Sequence, residues 1–183
     1  MSVLNFILVL FAAFLASFWE AAFGFFRHWL GAQIDLLPAL MVYASLCCGL
    51  TTMTSLAVSA GLFFDALSAN PPGASMVPLF VVGLLIYSQR DLILRDQPYT
   101  QFVLGLFASA TVPVLTLLVL LTAGHEPLLG WGSLWQWLVM SAGGAIATPV
   151  LFQLFGLFER ALSHRRTTEL SFRPDREIRR GRF

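Results

Sequence analysis

LLPALMVYASLCCGLTTMTSLAVSAGLFF, residues 36 to 64, runs twenty-nine residues without a charged side chain and stops against Asp65. A helix needs about 20 apolar residues to cross a hydrocarbon core, so this stretch is long for one upright span and short for two. Its middle, Cys47-Cys48-Gly49-Leu50-Thr51-Thr52, is small and weakly polar and holds the run's first glycine. That composition predicts a tight turn between two short helices, about 36–48 and 52–67. The alternative is one steeply tilted helix, since tilt absorbs excess length.

The rest of the chain is similar material. Of 183 residues, 57% are hydrophobic and 11% charged, which leaves little for a separate soluble domain. Charge-poor segments fall at about 4–26, 36–48, 52–67, 75–88, 101–123 and 131–158. None alternates as a barrel strand does, and backbone facing lipid must be paired within its own segment. The expectation is an all-α integral membrane protein of six transmembrane helices, with residues 1–158 as the membrane domain and 159–183 as a cytoplasmic arginine-rich tail. Ser2 to Phe26 lacks a basic n-region and is long for a signal sequence, so it is expected to be the first span.

Orientation rests on arginine, because the chain has no lysine. Six spans with a cytoplasmic N-terminus put ten of the eleven arginines inside, and only Arg27 outside. The C-terminus is cytoplasmic on either count; fusing the second and third spans would move Arg27 inside and satisfy the rule equally. The tail, Glu159 to Phe183, carries eight arginines against four acids, which suits an anionic leaflet and anchoring better than nucleic acid.

Chemistry-bearing groups are sparse. Within the expected spans the acids are Glu20 and Asp65, each toward a helix end, with no basic partner in the spans. Transport and proton-relay sites gather several ionisable groups near the midplane, and no nucleophile, base and metal set stands out, so neither an enzyme nor a cofactor is expected. Cys47 and Cys48 read as small packing residues, and His125-Glu126 does not make a metal site.

Asp65 is the exception that needs an account. A carboxylate in the last turn of a helix opposes the macrodipole by roughly 0.3 to 1 kcal/mol. Arg27 is the candidate ion partner; interfacial water and a partner protein's cation are the alternatives. After it, Asn70 is expected to cap the next helix and Pro71 to take its first position, making Asn70 to Gly73 a stiff turn. In the first span, Phe11, Phe14, Phe18 and Phe25 share one side, and Ala13, Ser17, Ala21 and Gly24 form a small stripe expected to pack internally. Trp131, Trp135 and Trp137 read as an interfacial belt, and Gly143-Gly144 with Pro149 predicts a kink in the last span.

Gly61-Leu62-Phe63-Phe64-Asp65-Ala66-Leu67-Ser68, followed by Gly73 and the apolar stretch to Gly83, resembles the central motif of the MreD family of rod shape-determining membrane proteins. Asp35-Leu36-Leu37-Pro38 opening the second span, and Arg90 to Arg95 after the fourth, fit the same order, so the resemblance covers about residues 35–95. Two features depart from it: the turn near Gly49 lacks a basic residue, and Ser55, Ala57 and Ser59 stand where relatives often carry glycine. The resemblance implies a non-enzymatic scaffold of the bacterial inner membrane that binds MreC and joins machinery including MreB, RodA and a penicillin-binding transpeptidase. It also implies a six-helix fold like the S components of vitamin transporters. The second function class is therefore a solute-binding transporter subunit, which Ala12 and Ala16, four apart on the first span, support weakly. Arg27, Asp35, Pro38, Gly61, Asp65, Asn70, Pro71 and Gly73 are the candidate structural or partner-interface residues.

Overall fold

The computed structural model describes residues 3–22, 31–68, 71–93, 97–124 and 130–167. Among these the protein is all-helical: α1 Val3–Ala22, α2 Leu37–Cys47, α3 Leu50–Leu67, α4 Met76–Gln89, α5 Pro98–Thr122 and α6 Trp131–Thr167. The charge-free run does divide, with Cys48 and Gly49 in extended conformation between α2 and α3. Gly49 serves as the N-cap position of α3, and its carbonyl accepts from both Thr52 and Met53. The residues 1–152 make one compact unit and 153–183 a second.

Among the described residues three helical stretches are long and apolar enough to cross a membrane: Leu50–Leu67, Pro98–Thr122 and Trp131–Phe158. The apolar stretches Asn5–Glu20, Leu37–Cys47 and Met76–Gln89 are shorter. At 1.5 Å per residue the eleven residues of α2 reach only about 17 Å, roughly half of a hydrocarbon core.

What α2 lacks in length it makes up in burial. Every residue from Leu37 to Leu46 is buried, as expected of a helix that is apolar all round. It packs against α1, α3, α4 and α5, and Tyr43 meets Phe152 of α6 edge to face with ring centroids 5.1 Å apart. The Ser45 hydroxyl donates to the Met41 carbonyl at 2.7 Å, so it is not stranded there.

The outer helices divide their faces. On α1, Val9, Ala13 and Ser17 are buried while Phe11, Phe14 and Phe18 remain exposed, so the small stripe packs inward as its composition predicts. Phe14 also stacks on Phe63 of α3 at 4.6 Å. Ala21, Gly24 and Phe25 of those two stripes lie outside the residues whose side chains are described.

α5 and α6 meet through small residues. A Cβ at Gly105 would strike the Thr148 side chain, and one at Gly144 would strike Ser109. Thr148 turns its hydroxyl back to the Gly144 carbonyl at 2.7 Å. Higher up, Trp137 donates from Nε1 to the Ala110 carbonyl at 2.9 Å, next to the Ser109 carbonyl that Pro113 leaves without its helical donor. Trp137 is thus tied to α5 and is less exposed than Trp131 or Trp135. α6 continues as helix through Gly143, Gly144 and Pro149.

Candidate functional site: the hairpin around Asp65

The α3 to α4 connection brings three of the motif residues into one device. Gly61, one turn before Asp65 on α3, lies against the start of α4: a Cβ there would come within 2.6 Å of the Met76 Cα and 2.9 Å of its nitrogen. Backbone cannot yield as a side-chain end can, so only glycine permits this approach. The contact places the last turn of α3 beside the first turn of α4.

Asp65 then reaches across. It is 2% exposed, and its carboxylate accepts from the Gly73 amide at 2.7 Å and from the Ser75 amide at 3.1 and 3.2 Å. Ser75 is the N-cap of α4 and has no capping side chain of its own. A carboxylate that is unfavourable at the end of α3 therefore serves the start of α4, where unpaired amides and the positive end of the helix dipole favour it. Charge compensation comes from backbone amides. Arg27, the ion partner expected from the sequence, lies outside the described residues.

Gly73 completes the geometry with φ at +97°, a conformation that side chains with a Cβ rarely adopt. The left-handed residue turns the chain so that its own amide faces Asp65. This corrects the expected role of Pro71. Pro71 does not occupy the first position of α4, which begins at Met76; its carbonyl instead accepts from Ala74 at 3.1 Å in the turn before the helix. The positive φ at Gly73 interrupts any helix begun at Pro71, and Asp65 supplies the cap from the preceding helix. Asn70, the expected cap, lies outside the described residues.

Asp35 and Pro38 sit at the opening of α2. Asp35 Oδ1 accepts from the Leu37 amide at 2.8 Å, and Pro38 occupies the first turn, where a missing amide hydrogen costs nothing. Burial pushes the Asp35 carboxyl up to about 6, and the Leu37 amide pulls the other way. A second acid belongs to this place: the Glu20 carboxyl feels the Asp35 charge, and the Gln33 side chain lies against it. No backbone amide among the described residues donates to either Glu20 oxygen. The sequence places Glu20 beside the small stripe but does not join it to Asp35, because the fourteen positions between them carry no periodic signal.

The partners of Asp65 were missed for a different reason. The signal is present, as a carboxylate in a last helical turn followed eight and ten residues later by Gly73 and Ser75, but the sequence alone points to Arg27, interfacial water or a partner's cation. Among the described residues no group of three or more His, Cys, Asp and Glu side chains is placed to hold a metal ion. No protein-family model, curated protein or solved structure matches this chain.

Proposed function

We propose that this protein is a multi-pass scaffold of the bacterial cell-elongation machinery, similar to the MreD family, that binds an MreC-like partner in the inner membrane. The observation that carries the reading is the use of the Gly61, Asp65 and Gly73 motif: close approach, amide capping and a left-handed turn, all of which shape a hairpin. A motif spent on shape suits a protein that presents a surface, whereas a chemical site would leave its carboxylate available to substrate.

In this reading all six helices belong to the membrane domain, with α2 held in the interior by its neighbours and both termini cytoplasmic. The exposed phenylalanines of α1 and the exposed faces of α5 and α6 meet lipid or partner helices. RodA and a penicillin-binding transpeptidase are further partners through the same assembly. The arginine-rich tail adds attraction to the anionic inner leaflet, worth about 1 kcal/mol for each arginine near the surface.

Co-purification from native membranes in mild detergent tests the proposal. Recovery of an MreC-like protein with the wild-type chain, reduced when Asp65→Ala disturbs the hairpin, is the expected result. Recovery of a transporter coupling subunit or a bound vitamin would replace the scaffold reading with the solute-binding one.

A further inference from the structure

Helix α6 changes character along its length. No residue from Trp131 to Met140 is buried, whereas Ser141, Ala145 and Thr148 are at most 6% exposed. At that boundary the helix is clamped on two sides. Gly144 lies against Ser109 of α5 with no room for a Cβ, and a Cβ at Gly143 would come within 2.7 Å of the Ile34 side chain. Helix α5 divides at the same level: Ala108, Ser109 and Val112 are buried, and no residue from Pro113 to Thr122 is.

The two outer halves enclose an apolar groove of about 600 Å³, lined by Pro113, Val114 and Leu117 on α5 and by Leu134, Trp137 and Met140 on α6. The Trp137 indole ties the helices at this groove, donating from Nε1 to the Ala110 carbonyl at 2.9 Å. Directly below Trp137 the helix has the chemistry of a soft point. Glycines and hydroxyls that bond back to their own helix are recurrent causes of bending. Gly143 and Gly144 are adjacent here, and Ser141 donates to the carbonyl of Trp137 itself at 2.7 Å. In α5, Pro113 interrupts the ladder by leaving the Ser109 carbonyl without its helical donor.

We propose that the outer part of α6, Trp131 to Met140, is a hinged arm that swings about Ser141 to Gly144, with the Trp137 indole as its latch on the Ala110 carbonyl. Latched, the arm holds the groove at its present width. Released, it moves away from α5 and widens the groove, while the Gly144 to Ser109 and Gly105 to Thr148 contacts keep the inner halves together. A single interhelical hydrogen bond in a membrane protein contributes little net free energy, so latched and released forms coexist. The arm does not depend on the scaffold reading, because it follows from the burial and bonding of α5 and α6 alone.

Spin-label distance measurements on the full chain in lipid nanodiscs test it, with Cys47→Ser and Cys48→Ser so that only introduced thiols carry a label. Leu121→Cys with Leu138→Cys reports the outer halves, and Leu106→Cys with Val150→Cys the inner ones; all four positions are exposed. The expected result is a narrow inner distribution and an outer one with a second, longer component. Trp137→Phe keeps a ring in the groove but loses the donor. It should raise the ratio of the longer to the shorter outer component by about three- to tenfold and leave the inner pair unchanged. An outer distribution as narrow as the inner one would overturn the arm, and this comparison needs no substitution at Trp137. An outer distribution that Trp137→Phe leaves unaltered would overturn the latch, and lengthening of both pairs together would overturn the hinge.

Discussion

Asp65 and Glu20 each stand near a helix C-terminus, of α3 and α1, yet their surroundings differ in kind. Asp65 accepts from the amides of Gly73 and Ser75 and is as enclosed as any apolar core residue. Glu20 is met by the Gln33 side chain and by the charge of a second carboxyl, Asp35, and receives no such backbone amides. The contrast separates two uses of buried charge. A carboxylate supplied with fixed backbone donors holds the fold, whereas one without them contributes no such anchor. In sequence the two are nearly indistinguishable; the difference arises only from which backbone amides the turn delivers.

Removing the Asp65 carboxylate gives the largest expected effect. Asp65→Ala strands the Gly73 and Ser75 amides in a buried place, at about 1 to 3 kcal/mol for each. Thermal unfolding in detergent should show a large fall in melting midpoint, with a smaller fall for Asp65→Asn, which retains one acceptor oxygen. Equal stability for Asp65→Ala and wild type would remove the capping role and with it the contrast to Glu20.

Gly61 comes next. Gly61→Ala places a Cβ 2.6 Å from the Met76 Cα, so α3 and α4 must part. Overpacking of this kind costs about 1 to 3 kcal/mol. The loss should be partly shared with Asp65→Ala in the double variant, because a hairpin that has opened no longer presents its amides to the carboxylate. Fully additive losses would mean that the close approach and the cap are independent. Gly73→Ala tests the turn alone and is expected to cost about 1 kcal/mol or somewhat more, from the positive φ, while open space around the new methyl spares it any clash.

Much of the helical framework was legible before the structure. The division near Gly49 followed from a small, weakly polar patch inside an apolar run, and the inward stripe on α1 from the spacing of Ala13 and Ser17. The start of α4 was not legible. Pro71 has the residue type for a first helical position, but the left-handed turn at Gly73 and a cap from the previous helix moved the start to Met76. Local rules describe a helix end by its neighbours in sequence; here the capping oxygen comes from ten residues back. The meeting of Glu20 with Asp35 was hidden for the same reason, since it depends on how α1 and the opening of α2 are brought together.

The smallest expected effect is also the sharpest test of the comparison. Glu20→Gln removes a charge that faces Asp35 and is met by the Gln33 side chain but by no backbone amide, and it preserves the shape of the side chain. Relieving an unsupported buried charge is neutral or stabilising, whereas removing a supported one is destabilising. In detergent solution the Glu20→Gln chain should therefore melt at the same temperature as wild type or slightly above it. If Glu20→Gln instead loses as much stability as Asp65→Asn, the Gln33 side chain holds the Glu20 carboxylate as firmly as the Gly73 and Ser75 amides hold Asp65, and the two acids do the same work.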